Sequence, residues 1–421
     1  MSQPFEPLPL SSHVDIDSRE VALEALPEGV SVLEPVGLAG VASLQGQVVF
    51  RSDSLFETRA TRTPGGDFLL MFPANTLDRP TGRCHYGRPQ EKVNDLVALR
   101  SSDQGATWGP PTRPIDIDYN LHGFIPLTPR DSSRIYNFGT QPIWGMQEQG
   151  PGLHENAPIG YRYSDDDGHH WSEVRLIRPT NDPAFQGMSV MRMCETDRGT
   201  WLLGSHEGDW SYRPLMTRQY LLRSTDQGAS WEVAPDPRHG GWYVRGFNRM
   251  DEGRPINLGN DHVLLMTRTP EGHLWQAWSE DDGESWTDPT PSTLVHPDAP
   301  PMLFALGDGR LIALHHNRHH DLDYDGLITT KEVLTRDRGE VWFATSTDGG
   351  VHWSQPRFLF TTAAARDRDT PFDNFQCSYI DAFADDGTLH LFLAHLWQQV
   401  LHLRIAETAL DNLPTGADLR G

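Results

Sequence analysis

One eight-residue pattern occurs five times in this chain, at Ser101-Ser-Asp103-Gln-Gly105-Ala-Thr-Trp108, Ser164-Asp-Asp166-Asp-Gly168-His-His-Trp171, Ser224-Thr-Asp226-Gln-Gly228-Ala-Ser-Trp231, Ser279-Glu-Asp281-Asp-Gly283-Glu-Ser-Trp286 and Ser346-Thr-Asp348-Gly-Gly350-Val-His-Trp353. The shared S-x-D-x-G-x-x-W reads as a hairpin turn. The aspartate accepts backbone N–H groups, the glycine takes a positive φ, and the tryptophan covers the turn. The copies are 55 to 67 residues apart, about what four strands and their connections need. Before each copy comes a turn and an apolar strand, as in Thr63-Pro-Gly-Gly-Asp-Phe-Leu-Leu-Met-Phe72 and Leu306-Gly-Asp-Gly-Arg-Leu-Ile-Ala-Leu314, with equivalents near Pro129, Asp197, Gly259 and Asp385. Six units therefore span the chain from about residue 50 to its end, although only five carry the pattern.

The prediction is an all-β chain: one six-bladed β-propeller of four-stranded antiparallel blades over residues 31–421, preceded by a tail or wrap over residues 1–30. The sixth unit, Phe375 to Glu407, has three strand-like runs, and Gln47-Val-Val-Phe50 is an unassigned strand nearer the N-terminus. An N-terminal strand that completes the last blade removes the open edge between the first and last blades. If the innermost strands run downward, the repeated turns lie underneath, where they are structural. The loops between second and third strands (Pro73 to Asn94, Gln141 to Gly160, His206 to Arg218 and His315 to Arg338) then form an upper mouth, the expected ligand site.

The repeated turns are Asp-boxes, and on them the chain resembles the sialidase (neuraminidase) superfamily, in which such boxes mark one turn per propeller blade. That resemblance implies an exo-glycosidase with a Tyr nucleophile, a Glu partner, an Asp acid/base and three arginines on the substrate carboxylate. A phenol in place of a carboxylate nucleophile avoids like-charge repulsion with an acidic sugar. Carried onto this chain, the Tyr role falls on Tyr379 in Phe375-Gln-Cys-Ser-Tyr379, one residue closer to the following Asp386-Gly387 turn than in the family. The Glu role falls on Glu252 in Met250-Asp-Glu252-Gly, and the acid/base role on Asp78, the one aspartate between Pro73 and Asn94. Arg268 matches the second arginine, and Arg338 the third, with Arg318 as the alternative. At the first arginine the sequence departs from the family. The stretch Leu55-Phe56-Glu57-Thr58-Arg59 puts Glu57 in the arginine's column, and Arg59, two residues on, faces the same side of a strand.

Other features narrow the function. With 58 Asp and Glu against 35 Lys and Arg, and a formal charge of -23, the chain is a poor partner for nucleic acid or an anionic membrane surface. Its expected partner is a carbohydrate. Three cysteines, Cys84, Cys194 and Cys377, are too few and scattered for a disulfide framework, and the N-terminus lacks the basic start and apolar run of a signal peptide, so a cytoplasmic setting is expected. No phosphate-binding glycine loop, serine elbow or zinc helix motif occurs, and no cofactor is expected. His315-His-Asn-Arg-His319-His320-Asp321, with His85, His122, His154 and His206, raises a metal site or a His/Tyr pair that abstracts the C5 proton of a uronic acid. The histidines follow no metal-motif spacing, and no metal is assigned. A polysaccharide lyase or rhamnosidase-like enzyme, and a carbohydrate-binding propeller without turnover, stand as alternatives.

Overall fold

The computed structural model describes residues 18–21, 32–35, 45–52, 55, 57–80, 92–115, 125–140, 156–209, 211–212, 215–318, 338–362, 377–395 and 397–420. Six antiparallel blades stand around one axis. Their innermost strands are Arg59–Arg62, Ile125–Leu127, Ser189–Glu195, Asp251–Gly259, Met302–Ala305 and Asp381–Asp385. Each touches the next, and the last touches the first, so the ring is closed.

Closure uses the N-terminal strand. Gln45–Arg51 pairs with Gln399–Ala406 as the outermost strand of the sixth blade, in the register Gln47 to His402 and Phe50 to Val400. The N-terminal hairpin Ser18–Val21 and Val32–Pro35 adds two strands to the outer edge of the fifth blade, on Arg357–Thr362. In the first blade three strands are followed by an antiparallel bridge from Ala98 to Thr112, which holds the place of a fourth.

Among the described residues the apolar core lies mainly between blades, with one cluster at each of the six interfaces. Leu55, Phe72, Val97 and Phe392 join the sixth blade to the first, and Phe138, Tyr161, Trp201 and Leu203 join the second to the third. This arrangement explains the tryptophan of the box. It does more than cover its own turn, because its ring packs into the interface with the preceding blade: Trp108 beside Phe392, Trp171 against the first–second interface, Trp231 against Phe138, Trp286 against Trp242 and Trp353 against the fourth–fifth interface. A large ring at each seam adds apolar burial where two twisted sheets meet. The sixth blade has no box, and Leu410 and Leu413, from the segment after its last ladder strand, fill the corresponding seam.

The box geometry repeats nearly atom for atom. Each serine hydroxyl donates to the aspartate Oδ1 at 2.8 or 2.9 Å and accepts from the glycine N–H at 2.8 or 2.9 Å. The glycines take φ between +79° and +87°, and the residues before them φ between +55° and +70°. Two consecutive left-handed residues match the right-handed twist of the flanking strands.

Inner strands begin at one face and end at the other. Second strands such as His262–Arg268 return upward, and third strands such as His273–Ser279 run down into their boxes. The boxes thus occupy the lower face, and the starts of the inner strands ring the upper mouth. Two of the expected upper loops are partly strand: Phe68–Pro80 and Lys92–Ser101 carry a ladder up to Asn75–Asn94 and Pro80–Lys92, and Trp201–Asp209 pairs with Met216–Ser224 as far as Asp209–Met216.

Candidate active site

At the upper end of the axis the inner strand Asp251–Gly259 does not start regularly. Asp251 pairs with Arg268 and Arg254 with Met266, so Glu252 and Gly253 form a bulge. Such a bulge re-aims a side chain, here with Glu252 at φ +53°. Close packing from the third blade requires the glycines at this point. A Cβ on Gly204 would lie 1.9 Å from the Gly253 carbonyl oxygen, and one on Gly253 would lie 2.6 Å from the Gln219 side chain. Across the axis, Tyr379 precedes the inner strand of the sixth blade at φ +60°. Both are non-glycine residues in the left-handed region, at a cost of about 1–3 kcal/mol each, a strain that concentrates at functional sites.

These two strained residues meet. The Tyr379 hydroxyl donates to Glu252 Oε1 at 2.9 Å, and Arg268 Nη1 donates to Glu252 Oε2 at 2.7 Å. All three are buried, Tyr379 being 7 % and Glu252 4 % exposed. Burial by itself would raise the Glu252 carboxyl, but the positive surroundings, Arg268 first among them, outweigh it and hold the group below the usual carboxylate range. Burial, and then the charge on Glu252, push the Tyr379 phenol well above its ordinary range. At rest the proton therefore sits on the phenol and the charge on Glu252, a donor and acceptor poised for transfer along one hydrogen bond.

The arginines expected on a carboxylate are largely engaged by the protein's own acids. Arg268 Nε donates to Asp298 Oδ1 at 2.6 Å. Arg249 binds Asp298 at 2.9 Å and Asp251 at 2.8 Å. Arg338 donates to the Asp298 backbone oxygen, and its own carbonyl accepts from Cys377 N–H at 2.7 Å, two residues before Tyr379. Arg59 donates from Nη2 to Glu57 at 2.8 Å and from Nη1 to the Tyr379 carbonyl at 3.5 Å. The departure at the first arginine thus becomes an ion pair, with Glu57 neutralising Arg59 beside the tyrosine. Arg249, Arg268, Arg338 and Arg59 stand against Asp251, Glu252, Asp298 and Glu57. Burial would raise the Asp298 carboxyl, yet Arg249 and Arg268 hold it far below its usual range.

Of the residues picked from the sequence, Tyr379, Glu252, Arg268, Arg338 and Arg59 come together. Arg318 instead pairs with Glu340 at 2.8 Å within the fifth blade, and no contact among the described residues joins it to the dyad. The backbone of Asp78 lies in the strand Phe68–Pro80, but its side chain lies outside the described residues. So do His85, His122, His154, His319 and His320.

Sequence reading missed Asp298, Arg249 and the bulge. The one local signal was the alternation of Arg249 and Asp251, two residues apart and so on one face of a strand. His206 accepts from Glu252 N–H through Nδ1 at 3.3 Å. His315 and His316 are buried, bound through Nδ1 to the Val295 and Glu340 carbonyls at 2.9 and 2.7 Å, and burial drives them down to about 4 and about 3. They are structural, neutral imidazoles. Among the described residues no group of three or more His, Cys, Asp or Glu is arranged to hold a metal ion.

Comparison with known proteins agrees with this architecture. A family model described as a BNR repeat-like domain matches residues 135–391, while no curated protein matches the sequence. Among solved structures, a Hadza microbial sialidase is similar with a TM-score of 0.62 at 16% identity, over 92% of this chain and 73% of that one. A protein of unknown function from Dyadobacter fermentans gives 0.58 at 16% identity, over 87% and 99%. The NanB sialidase of Streptococcus pneumoniae gives 0.54 at 10% identity, over 86% and 69%. At these identities the likeness is one of fold.

Proposed function

The chain belongs to the BNR repeat-like domain family, and from that premise we propose that it is a sialidase-like exo-glycosidase that removes a terminal acidic sugar, sialic acid or a close relative. The observation that carries this reading is the hydrogen bond from Tyr379 to Glu252. Tyr379 Oη attacks the anomeric carbon as its proton passes to Glu252 Oε1, and the bond to the leaving oxygen breaks as Asp78 protonates it. Water then cleaves the glycosyl–tyrosine bond, Asp78 accepting the water's proton and Glu252 returning its own to the phenol. Arg268 and Arg338 hold the substrate carboxylate. Arg59, paired with Glu57, holds the Tyr379 backbone as much as the ligand.

The direct test is a sialosyl fluoride carrying a second fluorine beside the anomeric carbon, which slows breakdown of a covalent intermediate. The expected result is a glycosyl adduct on the peptide that contains Tyr379, absent from Tyr379→Phe, together with turnover of a fluorogenic sialoside by the wild type. No adduct and no turnover at mildly acidic and neutral pH would overturn the reading. The Glu57–Arg59 pair favours one second reading, because it weakens the grip on a carboxylate attached at the anomeric carbon. Uronic-acid oligosaccharides carry theirs elsewhere on the ring, and their elimination product is an unsaturated uronate seen by its ultraviolet absorbance.

A further inference from the structure

Below the Tyr379–Glu252 dyad the channel contains charges that the catalytic reading does not use. Arg254, on the inner strand of the fourth blade, is 1 % exposed. Its Nη1 reaches only the Ile380 carbonyl, at 3.5 Å. Its Nε and Nη2 are buried and find no acceptor among the described residues, nor does Nε of Arg59. Buried guanidinium N–H groups are almost always matched, because an uncompensated charge in a low dielectric is costly.

The surroundings add positive charge. Arg192, from the third blade, lies 5.2 Å from the centre of the Phe304 ring, and Arg254 lies 5.6 Å from the same ring. Asp381 is taken by Arg192 and by the Ala60 N–H, and Glu57 by Arg59. Three guanidinium groups thus face two carboxylates across the channel. Burial, and then the charge of Arg59, push Arg254 down to about 9, which still leaves it charged at neutral pH. Arg192 and Phe304 also line a cavity of about 430 Å³ with Asn257, Gly307, Ala382 and Phe383. Its lining includes the lower ends of inner strands and the Gly307 turn, so it reaches toward the box face, opposite the dyad.

We propose that the lower channel is a binding site for a small monovalent inorganic anion, chloride in ordinary media, held by Nε and Nη2 of Arg254. The excess of one guanidinium favours a single negative charge. The ring of Phe304 and the aliphatic walls favour a weakly hydrated ion over sulfate or phosphate, which need many more donors. The ion neutralises the axis where six inner strands converge.

The test uses the whole protein. Thermal midpoints are measured in sodium gluconate, chloride and bromide at equal ionic strength, for the wild type and for Arg254→Met, which keeps the side chain's length and drops its charge. The expected result is a saturable upward shift of the wild-type midpoint with halide and none in the variant. Should the variant fail to fold, crystals of the wild type grown in bromide decide: anomalous density against Arg254 Nε and Nη2 supports the site. Identical wild-type midpoints in gluconate and chloride, or bromide-grown crystals with only water beside Arg254, overturn it.

Discussion

Replacing Tyr379 by Phe separates chemistry from architecture at the site. The ring that fills the buried space remains, and only the hydroxyl and its 2.9 Å hydrogen bond to Glu252 are lost. Glu252 is not stranded, because Arg268 still binds it at 2.7 Å. The stability cost is therefore that of one hydrogen bond to a charged group, about 1.5–3 kcal/mol. For a chain of this size, with an unfolding entropy of about 2.1 cal/mol/K per residue, that lowers the thermal midpoint by only about 2 to 4 °C. If Tyr379 is the nucleophile, turnover instead falls by roughly a thousandfold or more, about 4 kcal/mol of barrier. The assay pairs steady-state kinetics on a fluorogenic sialoside with a thermal scan of the same preparation. Turnover within about tenfold of the wild type would remove Tyr379 from the chemistry. A midpoint drop several times larger than expected would mean that the lost activity reports damaged packing.

Two further outcomes follow from the charge states. Because the charges around it, Arg268 first among them, overcome burial and hold Glu252 below its ordinary 4.5, kcat/KM should hold as pH falls to about 4.5 and decline only below it; an acid-limb midpoint above about 5 in a pH–rate profile contradicts that assignment. The box aspartates Asp103 and Asp348 are held at about 2, against 3.8 in an unfolded chain, chiefly by hydrogen bonds from Thr107 and His352. A depressed carboxyl stabilises the fold above its unfolded value, and that contribution is lost as pH falls through the folded value. Thermal scans should therefore show wild-type stability draining between about pH 4 and pH 2, less steeply in Asp103→Asn/Asp348→Asn, and equal slopes would count against this role for the boxes.

The boxes were legible because each is a local structure: its serine, aspartate and glycine satisfy one another within eight residues, so the pattern survives whatever surrounds it. The blade count followed, and so did the N-terminal strand of the sixth blade, since an unpaired edge in a closed ring needs a partner. The tryptophans were only half legible. Sequence places them on their turns, whereas their ring packing into the preceding seam depends on residues of the neighbouring blade, which for Trp108 means Phe392 near the other end of the chain.

The site divides in the same way. Tyr379, Glu252, Arg268, Arg338 and Arg59 could be picked by carrying the roles of the sialidase resemblance onto this chain, with the repeated turns and strands as the frame. The sequence alone determined the fold, the number of blades and the face on which to look. Tertiary structure decided the electrostatics of that face: the bulge that aims Glu252 at Tyr379, the pairing of Glu57 with Arg59, and the placing of Asp298 among three arginines. A turn is closed by residues adjacent in the chain. A charge balance is set by groups that only ring closure brings within a few ångströms, where burial makes each neighbour count.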